Sequence, residues 1–76
     1  MKHLIFAGTI EEAQTHARES GLDHGQWAYA DARNKVEGLR PENAVTHLVG
    51  SWEYNSDVVW TYRFWQDRCR QYGFEV

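Results

Sequence analysis

The chain has 76 residues, with 8 Lys+Arg against 11 Asp+Glu for a net charge of −3, and aromatics make up 14% of it. One domain, 1–76, is the expectation at this length. The aromatic content excludes a disordered tail, and the acidic balance argues against a basic nucleic-acid wrapper. The single cysteine excludes an internal disulfide framework and a Cys-rich zinc module. A domain this small hides only about 60% of its unfolded surface, so its core must come from efficiently packed aromatics or from a partner chain. The apolar run Leu4-Ile5-Phe6-Ala7 is too short for a signal-peptide core or a membrane span, so a cytoplasmic protein is expected.

The elements follow in chain order. Residues 2–7 read as a strand whose four consecutive apolar residues suit burial on both faces. Gly8 ends it. Thr9 and Glu12 have the spacing of a capping box, in which the Thr hydroxyl accepts from a helical N–H and the Glu reaches back. Ile10, Ala13 and Ala17 then form one apolar stripe, with Gly21 as the terminator, predicting a helix over 10–20. Gln26 to Ala30 alternates large and small residues and reads as a side strand. Asp31 to Asn43 is a polar connection, with a short helical turn near 32–36. Ala44 to Val49 is the third strand, closed by Gly50. Asn55 or Ser56 is a good N-cap, and Val58, Tyr62, Trp65, Cys69 and Tyr72 recur at helical spacing, predicting a helix over about 56–72.

Strands joined through a helix or a crossover of a dozen residues are expected to be parallel and right-handed. With the most apolar strand central, the order predicts a minimal Rossmann-like β-α-β-β-α sandwich, an α/β fold with a three-stranded parallel sheet in order 2-1-3. Its topological switch point lies between the first and third strands. There Gly8, Thr9, Asp31, Gly50 and Ser51 form a candidate small-ligand or anion site, since backbone N–H groups at a helix start attract negative charge. The bland reading is a tight turn with an N-cap. No phosphate-loop or dinucleotide fingerprint is present, and Glu11 and Glu12 place negative charge at the same helix start.

No catalytic residue stands out. His3, His16, His24 and His47 lack metal-ligand spacing and paired cysteines, so they read as surface or edge residues, with no metal or cofactor implied. Cys69 lies on the apolar stripe of the last helix and reads as a structural thiol. Glu11 and Glu12 point to different sides of a helix, and no nucleophile-elbow pattern accompanies Ser51 or Ser56.

The last third of the chain is the unusual part. Beside the core stripe, Trp60 and Phe64 form a second pair at i, i+4, and Trp52 and Tyr54 precede the helix. Trp, Tyr and Arg are enriched at binding hot spots. Trp52, Trp60, Phe64 and Arg63 are therefore the candidate partner-binding residues, for a second copy of the chain or another protein. The alternative is that a small domain uses bulky residues to fill its core. Arg63, Arg68 and Arg70 beside aromatics also admit single-stranded nucleic acid as a partner.

Two segments resemble the second RecA-like lobe of helicases. Leu4-Ile5-Phe6 with Thr9 and Ala13 resembles its strand-turn-helix. Asp31, Gly38, Pro41 and Ala44-Val45-Thr46-His47-Leu48-Val49 resemble its Asp–Gly–Pro–strand segment. Asp31 and Gly38 are more widely spaced than in that family, and Ala30 and Arg40 stand where it has Thr and an acid. The resemblance implies nucleic-acid binding as an alternative function, without the ATPase motifs. By its size, its Phe6-Ala7-Gly8-Thr9 opening and its Gly38-Leu39-Arg40 step, the chain also resembles short, uncharacterised Rossmann-like proteins of actinobacteriophages. That resemblance implies a phage accessory protein acting in the host cytoplasm. The reading the residues favour is a non-enzymatic interaction module that self-associates or binds a host protein through the aromatic last helix.

Overall fold

A computed structural model describes residues 1–74. It contains β1 (Lys2–Ala7), α1 (Ile10–Glu19), β2 (Trp27–Tyr29), β3 (Ala44–Val49) and α2 (Ser56–Gln71), with short 3₁₀ turns at Arg33–Lys35, Pro41–Asn43 and Trp52–Tyr54. Both outer strands pair parallel to β1, in the order β2-β1-β3. This is the α/β sandwich that the order of elements implies. Leu4, Ile5, Phe6 and Ala7 are fully buried because β1 is central and covered on both faces. Side chains alternate along it. Phe6 meets Tyr62 of α2 edge-on, with ring centroids 5.1 Å apart. His3 lies on the opposite face, toward α1.

The Thr9 hydroxyl accepts from the Glu12 N–H at 3.2 Å and caps α1. The Glu12 side chain does not complete the expected box. It crosses to Ser51 instead, where a hydroxyl and an N–H are both within reach. Ala13 and Ala17 are buried and let the helix sit close to the sheet. Ile10, expected on the same stripe, is exposed, since it belongs to the first turn, which starts beyond the end of β1. The helix closes as expected: Gly21 has φ +71°, and the Leu22 N–H returns to the Ala17 carbonyl at 2.9 Å.

The core stripe of α2 is Val58, Thr61, Trp65 and Cys69. Thr61, which looks polar in the sequence, donates its hydroxyl to the Asp57 carbonyl at 2.8 Å and so leaves its methyl free to pack. Tyr62 is half-buried, and Tyr72, expected on the stripe, is exposed because it caps the helix end. The polar connection between β2 and β3 contributes more to the core than its composition suggests. Val36 and Pro41 are buried, and the Leu39 carbonyl accepts from Arg68 Nε at 2.7 Å, tying the connection to α2.

Candidate functional site

The candidate residues fall in three places: the crevice at the strand C-termini, the outer face of α2, and the inner face of α1.

At the crevice, the turns after β1 and β3 bring Gly8, Thr9, Gly50 and Ser51 together, as expected. The space between them is filled by the Glu12 carboxylate, which accepts from Ser51 Oγ at 2.8 Å and from the Ser51 N–H at 3.4 Å. A Cβ on Gly8 would run into Ser51, and one on Gly50 would run into Glu12. Gly50 also has φ +54°, which disfavours any side chain. An anion approaching the start of α1 thus meets a carboxylate. Nearby, Asn55 caps α2 through Oδ1 and donates from Nδ2 to the Gly8 carbonyl at 3.0 Å. The Tyr29 hydroxyl donates to the Ala7 carbonyl at 2.9 Å. Burial, reinforced by the charge of Asp31, pushes that hydroxyl's pKa up, so it remains a neutral donor. These bonds tie the ends of β1 and β2 to the start of α2.

Asp31, the remaining crevice candidate, lies instead along a groove of about 660 Å³ between the first 3₁₀ turn and α2. Trp60, Arg63 and Phe64 line the same groove, with Asp57 and Asp67 on its rim. Trp60 is 69% exposed, whereas Trp65 on the other side of the same helix is 1% exposed. The Arg63 guanidinium sits 6.0 Å from the Trp60 ring centre, and Arg33 lies 4.5 Å over the half-buried Phe64 ring. Asp31 Oδ1 is buried 3.4 Å from Lys35 Nζ and accepts no directed hydrogen bond. Trp52 is not part of this groove. It packs edge-on against Tyr62 at 5.0 Å and continues the aromatic ladder from Phe6. Of the four expected partner-binding residues, the fold therefore groups Trp60, Phe64 and Arg63. Arg33 is the groove residue that sequence spacing does not reveal, because its place over Phe64 depends on how the β2–β3 connection folds.

On the α1 face, the structure brings together three histidines, of which the strand assignments place only His3 and His47 on adjacent strands, without fixing their faces. His3 Nδ1 lies 2.9 Å from His47 Nε2, and His47 Nδ1 lies 3.0 Å from His16 Nε2. All three rings are half-buried. Burial, then the neighbouring His16 and His3, lower the pKa of His47 below the ordinary histidine value. The signal was latent in parallel pairing: with Lys2 opposite Ala44, residues 3 and 47 fall on one face of adjacent strands. Both nitrogens of His47 are engaged, each with a different ring, so the three form a line rather than a chelate. Among the described residues, no group of three His, Cys, Asp or Glu side chains is arranged to hold a metal ion.

Cys69 is buried, and burial raises its thiol pKa, which suits packing rather than nucleophilic attack. Among the described residues no helix is long and apolar enough to cross a membrane. The fold thus defines a small parallel α/β protein, with Trp60 and Phe64 along a solvent-facing groove beside α2. No protein-family model, curated protein or solved structure matches the chain.

Proposed function

We propose that this protein is a non-enzymatic interaction module whose docking surface is the outer face of α2. The observation that supports this reading most directly is Trp60. A chain short of core material leaves a tryptophan 69% exposed beside a groove while burying its neighbour one helical face away. Exposed Trp with adjacent Arg is the composition of a hot spot.

The groove pairs an apolar floor, Phe64 and Thr61, with acidic groups at Asp31 and Asp57. It suits a segment bearing an aromatic side chain next to a cation. A second copy offers that pair itself, as Trp60 and Arg63, so a two-fold contact in which each Trp60 enters the other copy's groove satisfies both. Among the described residues Arg63 forms no ion pair that would have to break. The resemblance to phage proteins makes a host protein the other candidate partner. The crevice supports a ligand less well, because Glu12 occupies it, and the three aspartates along the groove oppose a phosphate backbone.

Sedimentation velocity across a concentration series tests the proposal. Concentration-dependent dimerisation that Trp60→Ala abolishes, with the circular dichroism spectrum unchanged, is the expected result. A chain that stays monomeric at high concentration would direct the search to a different protein bound through the same residues. Association that survives Trp60→Ala would remove the α2 face from consideration.

A further inference from the structure

The α1 face carries a feature independent of the α2 groove. Three imidazoles stand in a line, each from a different element: His3 from β1, His47 from β3 and His16 from α1. They also touch as rings, with centroids 5.2 Å apart for His3 and His47 and 5.0 Å for His16 and His47.

The hydrogens of such a line can be counted. Each gap between facing nitrogens has room for one hydrogen, donated by one ring and accepted by the other. Three neutral rings carry one N–H each. Two of these fill the gaps and the third sits on an outer nitrogen, His3 Nε2 or His16 Nδ1. One added proton takes the remaining outer nitrogen, and both N–H···N bonds survive. By shifting hydrogens along the line, the charge can reside on any of the three rings. A second added proton finds only the nitrogens inside a gap, where two N–H groups would then face each other on a line that carries two positive charges. We propose that His3, His47 and His16 form a proton-binding site that accepts one proton with its links intact and parts at the second, releasing α1 from β3 under acid conditions.

The surroundings leave this response to the rings themselves. From α1, Glu11, Glu12 and Glu19 line a shallow groove beside His16, and Glu12 is held by Ser51. From β1, the Lys2 ammonium points to the Gly25 carbonyl at 3.4 Å. β3 carries no other titratable side chain, and β2 places the uncharged Trp27 opposite His3. Among the described residues no carboxylate forms an ion pair with any of the three rings. The lowered proton affinity of His47 acts in the same direction. Its folded value lies below its unfolded value of 6.5, so the folded state holds fewer protons. Its contribution to stability is present above that pH and is lost as the pH falls through the folded value.

The site joins α1 to an edge strand. β3 pairs with β1 along one edge only. Among the described residues, the other side-chain hydrogen bonds between α1 and this edge join Ser51, just beyond the end of β3, to Glu12.

Nitrogen-detected NMR of the imidazoles, run with amide exchange between about pH 8 and pH 5, tests the proposal. The first proton is expected to spread over more than one ring, with β3 protection unchanged. Uptake of the second is expected to speed exchange of the β3 amides at least about tenfold while the β1–β2 amides hold. In His47→Gln the side-chain carbonyl can accept from the His16 N–H whether or not that ring is charged, so the link to α1 holds in acid and this response should vanish. If that variant fails to fold, His16→Gln provides the same test from the α1 side, because its carbonyl accepts from a protonated His47. Three rings that titrate independently near their ordinary value, with β3 unaffected, would overturn the proposal. So would either glutamine variant retaining the wild-type response.

Discussion

The two faces of this sheet are covered by helices that hold on in opposite ways. α1 approaches closely. Its buried residues are the alanines Ala13 and Ala17, and its grip is polar, through Glu12 to Ser51 and His16 to His47. α2 stands on bulk. Trp65 is buried with its indole N–H on Thr46 Oγ1 at 3.1 Å, and Tyr62 is wedged between Phe6 and Trp52. Small residues leave a helix little apolar area to bury, so directed bonds must fix its position. Large ones supply area and need few bonds. The same sheet thus has a face sensitive to charge and pH, and a face sensitive to volume.

The largest effect should come from volume. Trp65→Ala deletes the largest fully buried side chain and its hydrogen bond to Thr46 Oγ1. A loss of about 3–5 kcal/mol is expected for such a truncation. A small domain has a total stability of about 5–15 kcal/mol, so urea denaturation should find this variant unfolded or nearly so. His16→Ala on the other face removes one partly exposed hydrogen bond and should cost about 1 kcal/mol. Equal costs for the two would erase the contrast between the faces.

Asn55→Ala should come next. The residue caps α2, and its amide also donates to the Gly8 carbonyl at the end of β1. Loss of the cap alone costs about 1 kcal/mol, and the unpaired carbonyl adds to it. A loss near 2 kcal/mol in urea titration would show that α2 is also held by direct bonds at its start. A loss of only a few tenths would mean that the bonds at its start add little to the packing that holds α2.

Much of this division was legible in the residues. The apolar run of β1, the alternation in β2 and the helical stripes mark the elements, because those patterns depend on local period alone, and the crossover connections with the most apolar strand central then give the order and direction of the strands. The N-cap of α2, narrowed by the residues to Asn55 or Ser56, and the terminator at Gly21 are equally local. What escaped is what depends on register and on the fold of connections. Val36 is buried in a stretch that reads as polar, since a single apolar residue has no period. Glu12 has the spacing of a capping box, yet finds a better donor in Ser51, far along the chain. The histidines meet only once the parallel register is set. Trp60 could be singled out as surplus to the core stripe, but its groove, with Arg33 and Asp31, needed the β2–β3 connection in place.

A gentler probe sits at the crevice, where α1 is held by charge. Gly50→Ala forces a side chain into a left-handed conformation, φ +54°, and against the Glu12 carboxylate. The backbone part costs about 1 kcal/mol. The part due to Glu12 should disappear when Glu12→Ala is made as well, so the double variant should lose less than the sum of the single losses. Strict additivity would mean that Glu12 is not held in the crevice in solution.

The smallest effect on stability is expected at Trp60, and it separates the two roles of α2 most sharply. Trp60 is exposed and contributes little to the core, so Trp60→Ala should change stability by no more than about 0.5 kcal/mol. Phe64→Ala, by contrast, removes a half-buried ring beneath Arg33 and should cost more. If the groove is a docking surface, both variants should lose association, and only the second should also lose stability. A Trp60→Ala protein that unfolds as readily as Phe64→Ala would place that indole in the fold's own packing and make the aromatic surplus a device for stability. A Trp60→Ala protein with unchanged stability and no association would show that α2 serves the fold through one face and a partner through the other.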